Sequence, residues 1–301
     1  MRDFVALENN IRSLMTHLTF PEDAQEEFIC ALQKIAGHPE HAATLHKIIH
    51  CYEETENCDY LQMLTDMTIL CSALSIHPYT GNALLCLCMG PKLLQRYEER
   101  NLDHQIFYAS MMDLRYKLEE CRLVHGINGT FVPRWYRGFF NLTRFALGRL
   151  QFEIVLTKSD YTVDGVFLPQ GSKAINIHIP RTGTRLDRQD VLDAYRQAAC
   201  FFREDFPEGP AVFTCHSWML YPWLRTILAP NSNISAFYDD FTIVEWENDK
   251  DYSQIWRFFD CAYTGDPDKL PQKSSLHRSV VQRIKDGLPI GMGRGFFLLE
   301  T

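Results

Sequence analysis

The sequence predicts an α+β chain of two domains: a helical N-terminal bundle over residues 1–130, then a mixed β-sheet domain with flanking helices over residues 131–301. Two observations predict it. Up to residue 130, apolar residues recur at spacings of three and four with little that reads as strand, which is the mark of amphipathic helices. Beyond Gly126 the texture changes. Alternating, β-branched segments are separated by single helical patterns, with hairpin signals early and late, and this describes a sheet whose strands run in both directions.

In the first half, Phe28, Leu32 and Ile35 mark the buried face of a helix that opens near Pro21 and is stopped by Gly37 and Pro39. Leu45, Ile48, Ile49 and Tyr52 form the next stripe. Leu61, Leu64, Met67, Cys71 and Leu74 form another, ended by His77-Pro78. A short apolar helix is expected to run to Gly90, with Pro91 opening the next. A long amphipathic helix carrying Ile106, Met111, Leu114 and Leu118 reaches His125-Gly126. Five or six helices of this kind make a bundle. His38, His41, His46 and His50 lie around one helix start and read as a solvated face, so no metal site is expected.

In the second half, Asn128-Gly129 is a turn, Phe131 to Pro133 is extended, and 134–150 is dense in aromatic rings and arginines. Gln151 to Leu156 alternates as a strand. Asp164-Gly165 is a type I′ signal joining Tyr161–Val163 to Val166–Leu168. Ile175, Ile177 and Ile179 then alternate with Asn176 and His178, giving a strand with one apolar and one polar face that Pro180 closes. Asp187 is a fitting N-cap for a helix carrying Val191, Leu192, Tyr195, Ala198, Ala199 and Phe202. Ala211 to Trp218 reads as a strand, a helix begins near Pro222, and Ile234 to Trp246 reads as paired strand. Helices around Tyr252–Phe259 and Ser274–Lys285 and a closing strand at Phe296–Leu299 complete the chain.

Composition narrows the function. With 301 residues, 46% of them hydrophobic, and a net charge of −8, the chain has ample core and no basic excess, which argues against nucleic acid as partner. The N-terminal residues alternate acids with apolar groups where a signal peptide needs an apolar run. No stretch approaches the roughly 20 residues of a membrane span, so a cytoplasmic location is expected. Eight of the ten cysteines fall singly within apolar patterns, and Cys86-x-Cys88 has no second pair, so reduced core residues are expected and not zinc ligands or disulfides.

The turn after the Ile175–Ile179 strand carries chemistry of its own. Arg181, Gly183 and Arg185 precede a helix N-terminus, whose free N–H groups suit a phosphate, although many such turns bind nothing. Around this turn the residues take on a family character. The runs LGRLQFE (Leu147 to Glu153), INIHIP, FTCHSW (Phe213 to Trp218) with Tyr221-Pro222, NSNISAF (Asn231 to Phe237) and SSLHRSVVQRIKDG (Ser274 to Gly287) resemble the GNAT-like acyltransferases of bacteria that carry a helical N-terminal domain. The resemblance covers the C-terminal half well, and the N-terminal half by its size and helical character.

The resemblance implies that two neighbouring parallel strands splay apart and admit the pantetheine of acetyl-CoA or another acyl-CoA, the acyl donor for a small-molecule or peptide amine. Ile175–Pro180 would be the first such strand, with Ile177 and Ile179 presenting backbone to the pantetheine. Ala211–Trp218 would be the second. Arg181, Gly183, Thr184 and Arg185 would hold the pyrophosphate. The loop departs from the family pattern in carrying Thr184 where a glycine is usual, so a side chain stands where the pyrophosphate approaches.

Amine acylation needs a base, an oxyanion donor and an acid for the leaving thiolate. His178 lies on the polar strand face beside the implied cleft. His216 shares a face with Thr214 and Trp218, and Glu153 is a third base. Tyr221 stands just past the second strand, where the family often places a tyrosine acid. Each has a plainer reading: a hydrogen-bonded sheet histidine, a strand-end tether, a surface pair and an aromatic staple. Two other function classes stand beside acyl transfer. One is a non-catalytic protein holding a metabolite or nucleotide in the cleft. The other is a cysteine-dependent enzyme using Cys215, whose neighbour His216 points to the opposite face. A sheet edge near the C-terminal strand offers a homodimer contact.

Overall fold

A computed structural model of the chain describes residues 4–55 and 58–300. It divides into two compact units, Met1–Phe145 and Ala146–Thr301.

The first unit is helical: α1 (Phe4–His17), α2 (Glu22–Ala36), α3 (Pro39–Glu54), α4 (Tyr60–Ala73), α5 (Pro78–Glu99), α6 (His104–His125) and a short α7 (Arg137–Phe140). The caps are local. Asp59 accepts from the N–H groups of Leu61 and Gln62, Asp103 accepts from that of Gln105, and Gly126 closes α6 in the left-handed conformation at φ +70°. Around α5 the other elements assemble. Every residue from Thr80 to Gly90 is buried, and α5 touches α1, α2, α3, α4 and α6, as expected of a helix apolar on all sides.

That burial explains one difference from the sequence pattern. Pro91 does not open a new helix but lies inside α5. A break there would expose a stretch enclosed on every side, a larger cost than the roughly 3 kcal/mol of one internal proline. The aromatic run before the sheet is internal to this unit as well. Tyr136, Phe139 and Phe140 are buried, Trp135 donates from Nε1 to Asp113 at 2.9 Å, and the Arg144 guanidinium lies 3.8 Å from the Trp135 ring.

The second unit is built on a six-stranded sheet. Its elements are β1 (Arg144–Leu147), whose first two residues still belong to the first unit, β2 (Leu150–Leu156), β3 (Tyr161–Val163), β4 (Val166–Leu168), β5 (Lys173–His178), α8 (Arg188–Phe201), β6 (Ala211–Ser217), α9 (Pro222–Ile227), α10 (Asn233–Tyr238), β7 (Thr242–Asp249), α11 (Trp256–Phe259), α12 (Ser275–Lys285) and β8 (Ile290–Leu299). The order is β1-β2-β5-β6-β8-β7, with β3 and β4 as a separate hairpin. At its turn Asp164 and Gly165 both have positive φ, +50° and +83°, as type I′ requires. β5 and β6 are parallel, while β2–β5, β6–β8 and β7–β8 are antiparallel.

Two expectations about the C-terminal strands change. Ile234 to Tyr238 is helix and not strand, because Ser232 caps α10 by accepting from the Ser235 N–H. The strand starts only at Thr242. β8 is longer than expected and lies between β6 and β7, so the sheet edges are β1 and β7 and not the C-terminal strand.

The two faces of the sheet differ in chemistry. On one, Phe152, Phe213 and Phe297 pack with Tyr195 of α8, the Phe213 and Phe297 rings stacked at 4.8 Å. On the other, Ala174, Val212 and Phe296 form an apolar cluster with Val163 and Leu168 of the hairpin. Further along the same strands that face turns polar. β8 also runs close beneath the turn after β6: a Cβ on Gly293 would stand 2.0 Å from the Leu220 carbonyl oxygen.

Gly293→Ala should therefore lower stability by about 1–3 kcal/mol, the usual range for overpacking. Thermal unfolding checks it, and a transition at the wild-type temperature would remove this contact from the fold's constraints.

Candidate active site

The polar face is assembled by strand register. Asn176 of β5 faces Glu153 on β2 and Thr214 on β6, while His216 of β6 faces Arg294 on β8. Because alternate residues share a face, Glu153, Asn176, His178, Thr214, His216 and Arg294 stand on one side of the sheet. All of these but Glu153, with the apolar end under the hairpin, bound a cavity of about 280 Å³. Its polar walls are Asn176, His178, Thr214, His216, Thr157, Lys158 and Arg294, and its apolar walls include Val155, Tyr161, Ala174 and Phe296.

Two of the expected bases meet directly. His178 Nε2 is 2.7 Å from Glu153 Oε1, and Asn176 Nδ2 is 3.1 Å from the same ring nitrogen and 3.4 Å from the carboxylate. Both partners are mostly enclosed, at 20% and 17% exposure, so the hydrogen bond acts in a lower dielectric than a surface pair. An ionised Glu153 fixes the ring's orientation and stabilises a proton gained by the imidazole, which is what a general base needs.

His216 stands on the next strand. Its Nε2 lies 3.3 Å from Glu247 Oε1. Burial and the Arg294 guanidinium nonetheless hold its pKa below the ordinary histidine value, against the pull of Glu247 and Glu245. Arg294 is itself fixed, its Nε 2.5 Å from Glu245 Oε1. His216 is thus neutral at pH 7 and able to accept a proton. Thr214 is buried and donates its hydroxyl to the Gly295 carbonyl at 3.0 Å.

The parallel ladder between β5 and β6 covers Ile175↔Phe213, Asn176↔Thr214 and Ile177↔Cys215, although β5 continues to His178 and β6 to Ser217. The ladder therefore ends beside the two histidines. Ile177 is buried and Ile179 half-buried there. Past β5, Gly183 has φ +79°, and the Thr182 and Thr184 hydroxyls lie 2.8 Å apart. Arg181 forms a bidentate pair with Asp260, both contacts 2.7 Å, while Gly183, Thr184 and Arg185 are exposed. Asp187 accepts from the Gln189 N–H, placing a carboxylate at the start of α8.

Tyr221 and Cys215 stand elsewhere. Tyr221 is buried with Leu224, Val280 and Ile290 and donates its hydroxyl to Asn248 at 2.6 Å, so it is not among the cavity's walls. Cys215 is fully buried on the opposite sheet face from His178 and His216, and burial pushes its thiol up to about 12. A thiolate nucleophile is not available there. Lys158 and Arg294 were not singled out from the sequence. For Arg294 the usable signal was its place in the Gly-Met-Gly-Arg-Gly run of a strand, where it is the one long polar side chain. Among the described residues no group of three or more His, Cys, Asp and Glu side chains is arranged to hold a metal, and no helix is long and apolar enough to cross a membrane.

Comparison with known proteins matches both units. The model of the GNAT-like C-terminal domain matches residues 144–297, and that of the N-acyltransferase N-terminal domain matches 9–142. No match to a curated protein was found. Among solved structures, an acyltransferase in complex with decanoyl-CoA is similar at 23% identity and TM-score 0.73, over 96% of this chain and 87% of the other. The same figures for an acyltransferase with decanoyl-CoA and teicoplanin are 23%, 0.71, 96% and 87%, and for an acyltransferase variant with octanoyl-CoA 23%, 0.72, 97% and 88%. At this identity the likeness establishes the fold.

Two outcomes test the electrostatics. In an NMR titration the His216 midpoint should lie below 6.5 and rise in Arg294→Gln, since removing a nearby cation favours the imidazolium. With the folded-state pKa below the unfolded one, this group's contribution to stability is full above the unfolded value and is lost as the pH falls through the folded one. In native protein at pH 8, iodoacetamide should modify the exposed Cys30, Cys51 and Cys200 and spare Cys215. Peptide mass mapping reads this, and prompt labelling of Cys215 would restore the cysteine mechanism.

Proposed function

Because the chain belongs to the N-acyltransferase family with a GNAT-like C-terminal domain, we propose that it transfers an acyl group from an acyl-CoA thioester to an amine, with His178 as base. The family is one of acyltransferases, which weighs against the non-catalytic metabolite- or nucleotide-binding alternative. One observation carries the assignment: His178, held by Glu153, stands on the cavity wall at the end of the β5–β6 ladder, so a thioester lying across the strand ends would present its carbonyl to the polar face.

The reaction then follows. The ammonium of the acceptor loses its proton to His178, held by Glu153. The free amine attacks the thioester carbonyl, the C–N bond forms, and the C–S bond breaks as the tetrahedral intermediate collapses. The attacking nitrogen sheds its second proton, and the leaving thiolate takes up one, so that a neutral amide and free CoA result. His216, neutral at pH 7, is the second group able to handle a proton. Tyr221, hydrogen-bonded to Asn248, serves as thiolate acid only with movement of that side chain.

The coenzyme would lie with its pantetheine against the backbone of Ile177 and Ile179, and its pyrophosphate on Arg181, Gly183, Thr184 and Arg185. Asp260 does not bar this. An ion pair as exposed as Arg181–Asp260, at 34% and 40%, is worth about 0.2–1 kcal/mol, against about 8 kcal/mol for micromolar binding. Acetyl-CoA is the simplest donor. The neighbours' decanoyl- and octanoyl-CoA support a longer acyl chain as well.

Chromatographic measurement of CoA released from acetyl-, octanoyl- and decanoyl-CoA with a panel of amines tests the reading. His178→Ala should cut turnover by about 10²-fold or more, as expected for loss of a general base. The Arg181→Ala, Arg185→Ala double variant should raise KM for the acyl-CoA with a smaller change in kcat. Failure of every acyl-CoA to bind or turn over would end the assignment.

A further inference from the structure

The cavity carries a one-sided charge. Lys158 and Arg294 line it, and none of its lining residues is a carboxylate. Glu153 reaches it only through His178, while Glu245 and Glu247 hold Arg294 and His216 from β7. An amine acceptor is a cation at neutral pH, and a wall whose charged side chains are Lys158 and Arg294 offers it no counter-ion. The arrangement makes sense when the acceptor brings its own anion.

The rest of the cavity limits what that acceptor is. Val155, Ala174 and Phe296 give an apolar floor, with the Tyr161 ring 4.8 Å from that of Phe296. The volume of about 280 Å³ is at or below the lower end of the roughly 300–1,000 Å³ of pockets that enclose drug-sized ligands. Arg294 engages Glu245 through Nε, and a guanidinium presents five donors in a fixed fork suited to a second carboxylate. Lys158 and Arg294 both line this one cavity, from just past the end of β2 and from β8.

Resting on the acyl transfer proposed above, we infer that the acceptor is an amino acid, its carboxylate docked against Lys158 and Arg294, its apolar side chain on the Ala174 and Phe296 floor and its amine at His178. The product is an N-acyl amino acid. The carboxylate supplies the binding energy that the amine alone would lack, and it fixes which nitrogen faces the thioester.

The test compares alanine, valine, leucine and phenylalanine with their amides as acceptors, reading CoA release for the wild type, Lys158→Ala and Lys158→Glu. The expected result is a kcat/KM ratio of acid to amide of roughly tenfold in the wild type for at least one side chain, falling toward unity in Lys158→Ala and below it in Lys158→Glu. Amides used as well as the acids, or a ratio that neither variant changes, would overturn the inference. A loss in Lys158→Ala that is equal for acid and amide also overturns it, since the cation would then act on the thioester oxyanion. If no amine releases CoA, the acyl-transfer reading has failed. Calorimetry with the N-acetyl amino acids and their amides then decides the carboxylate site alone. Binding of the acids that Lys158→Glu abolishes supports it, and equal or absent binding of both sets removes it.

Discussion

The second unit depends on the parallel pairing of β5 and β6. A parallel pair cannot be joined by a tight turn, so the chain must leave β5, cross as α8 and return to β6. This brings the C-terminal ends of both strands out on the same side, where the ladder ends at Ile177↔Cys215. β2 and β8 run antiparallel along the outer sides of this pair and hold the two strands in place. The carboxyl ends of the strands are where open α/β sheets commonly place ligands. Here the ladder ends beside His178 and His216.

Charge is laid out across that face in a row. Glu153 holds His178 at one side, and at the other Arg294, tied to Glu245, depresses the His216 pKa. Two imidazoles on neighbouring strands thereby receive unlike neighbours, a carboxylate for one and a carboxylate opposed by a guanidinium for the other. Burial and the guanidinium lower the His216 pKa, so the two imidazoles stand in unlike environments on one face. The helical unit carries its buried ionic groups differently. Lys117 and Glu120 pair within one turn of α6, and Arg96 donates to the Tyr52 carbonyl, contacts internal to that unit.

Much of this was legible in the residues. The alternation of Ile175, Ile177 and Ile179 with Asn176 and His178 gave both the strand and its polar face, because period two is a local property. Asp164-Gly165 gave the hairpin, and Asp187 gave the start of α8, for the same reason. What sequence could not supply was register. That Glu153 bonds His178 follows only once β2 is paired with β5, 25 residues apart, and that Arg294 reaches His216 requires β8 between β6 and β7. Arg181 and Asp260, 79 residues apart, are of the same kind. Local rules also erred where tertiary burial overrode them, at Pro91 within the enclosed α5. At Ile234–Tyr238, the β-branched and aromatic texture concealed a serine cap.

The separation of chemistries by strand face has a consequence for how this protein can change over time. Cys215 and His216 are adjacent in sequence yet belong to different compartments, one a packed aromatic core and the other a wet cavity. A single inserted or deleted codon within β6 would exchange them, driving an imidazole into phenylalanine and a thiol into the cavity, and would do the same to every residue of the strand. Drift in length is therefore confined to the connections, such as the hairpin tip at Asp164-Gly165 and the loop that carries Arg181 to Arg185. The strands can acquire new specificity only by replacing one side chain with another at a fixed count.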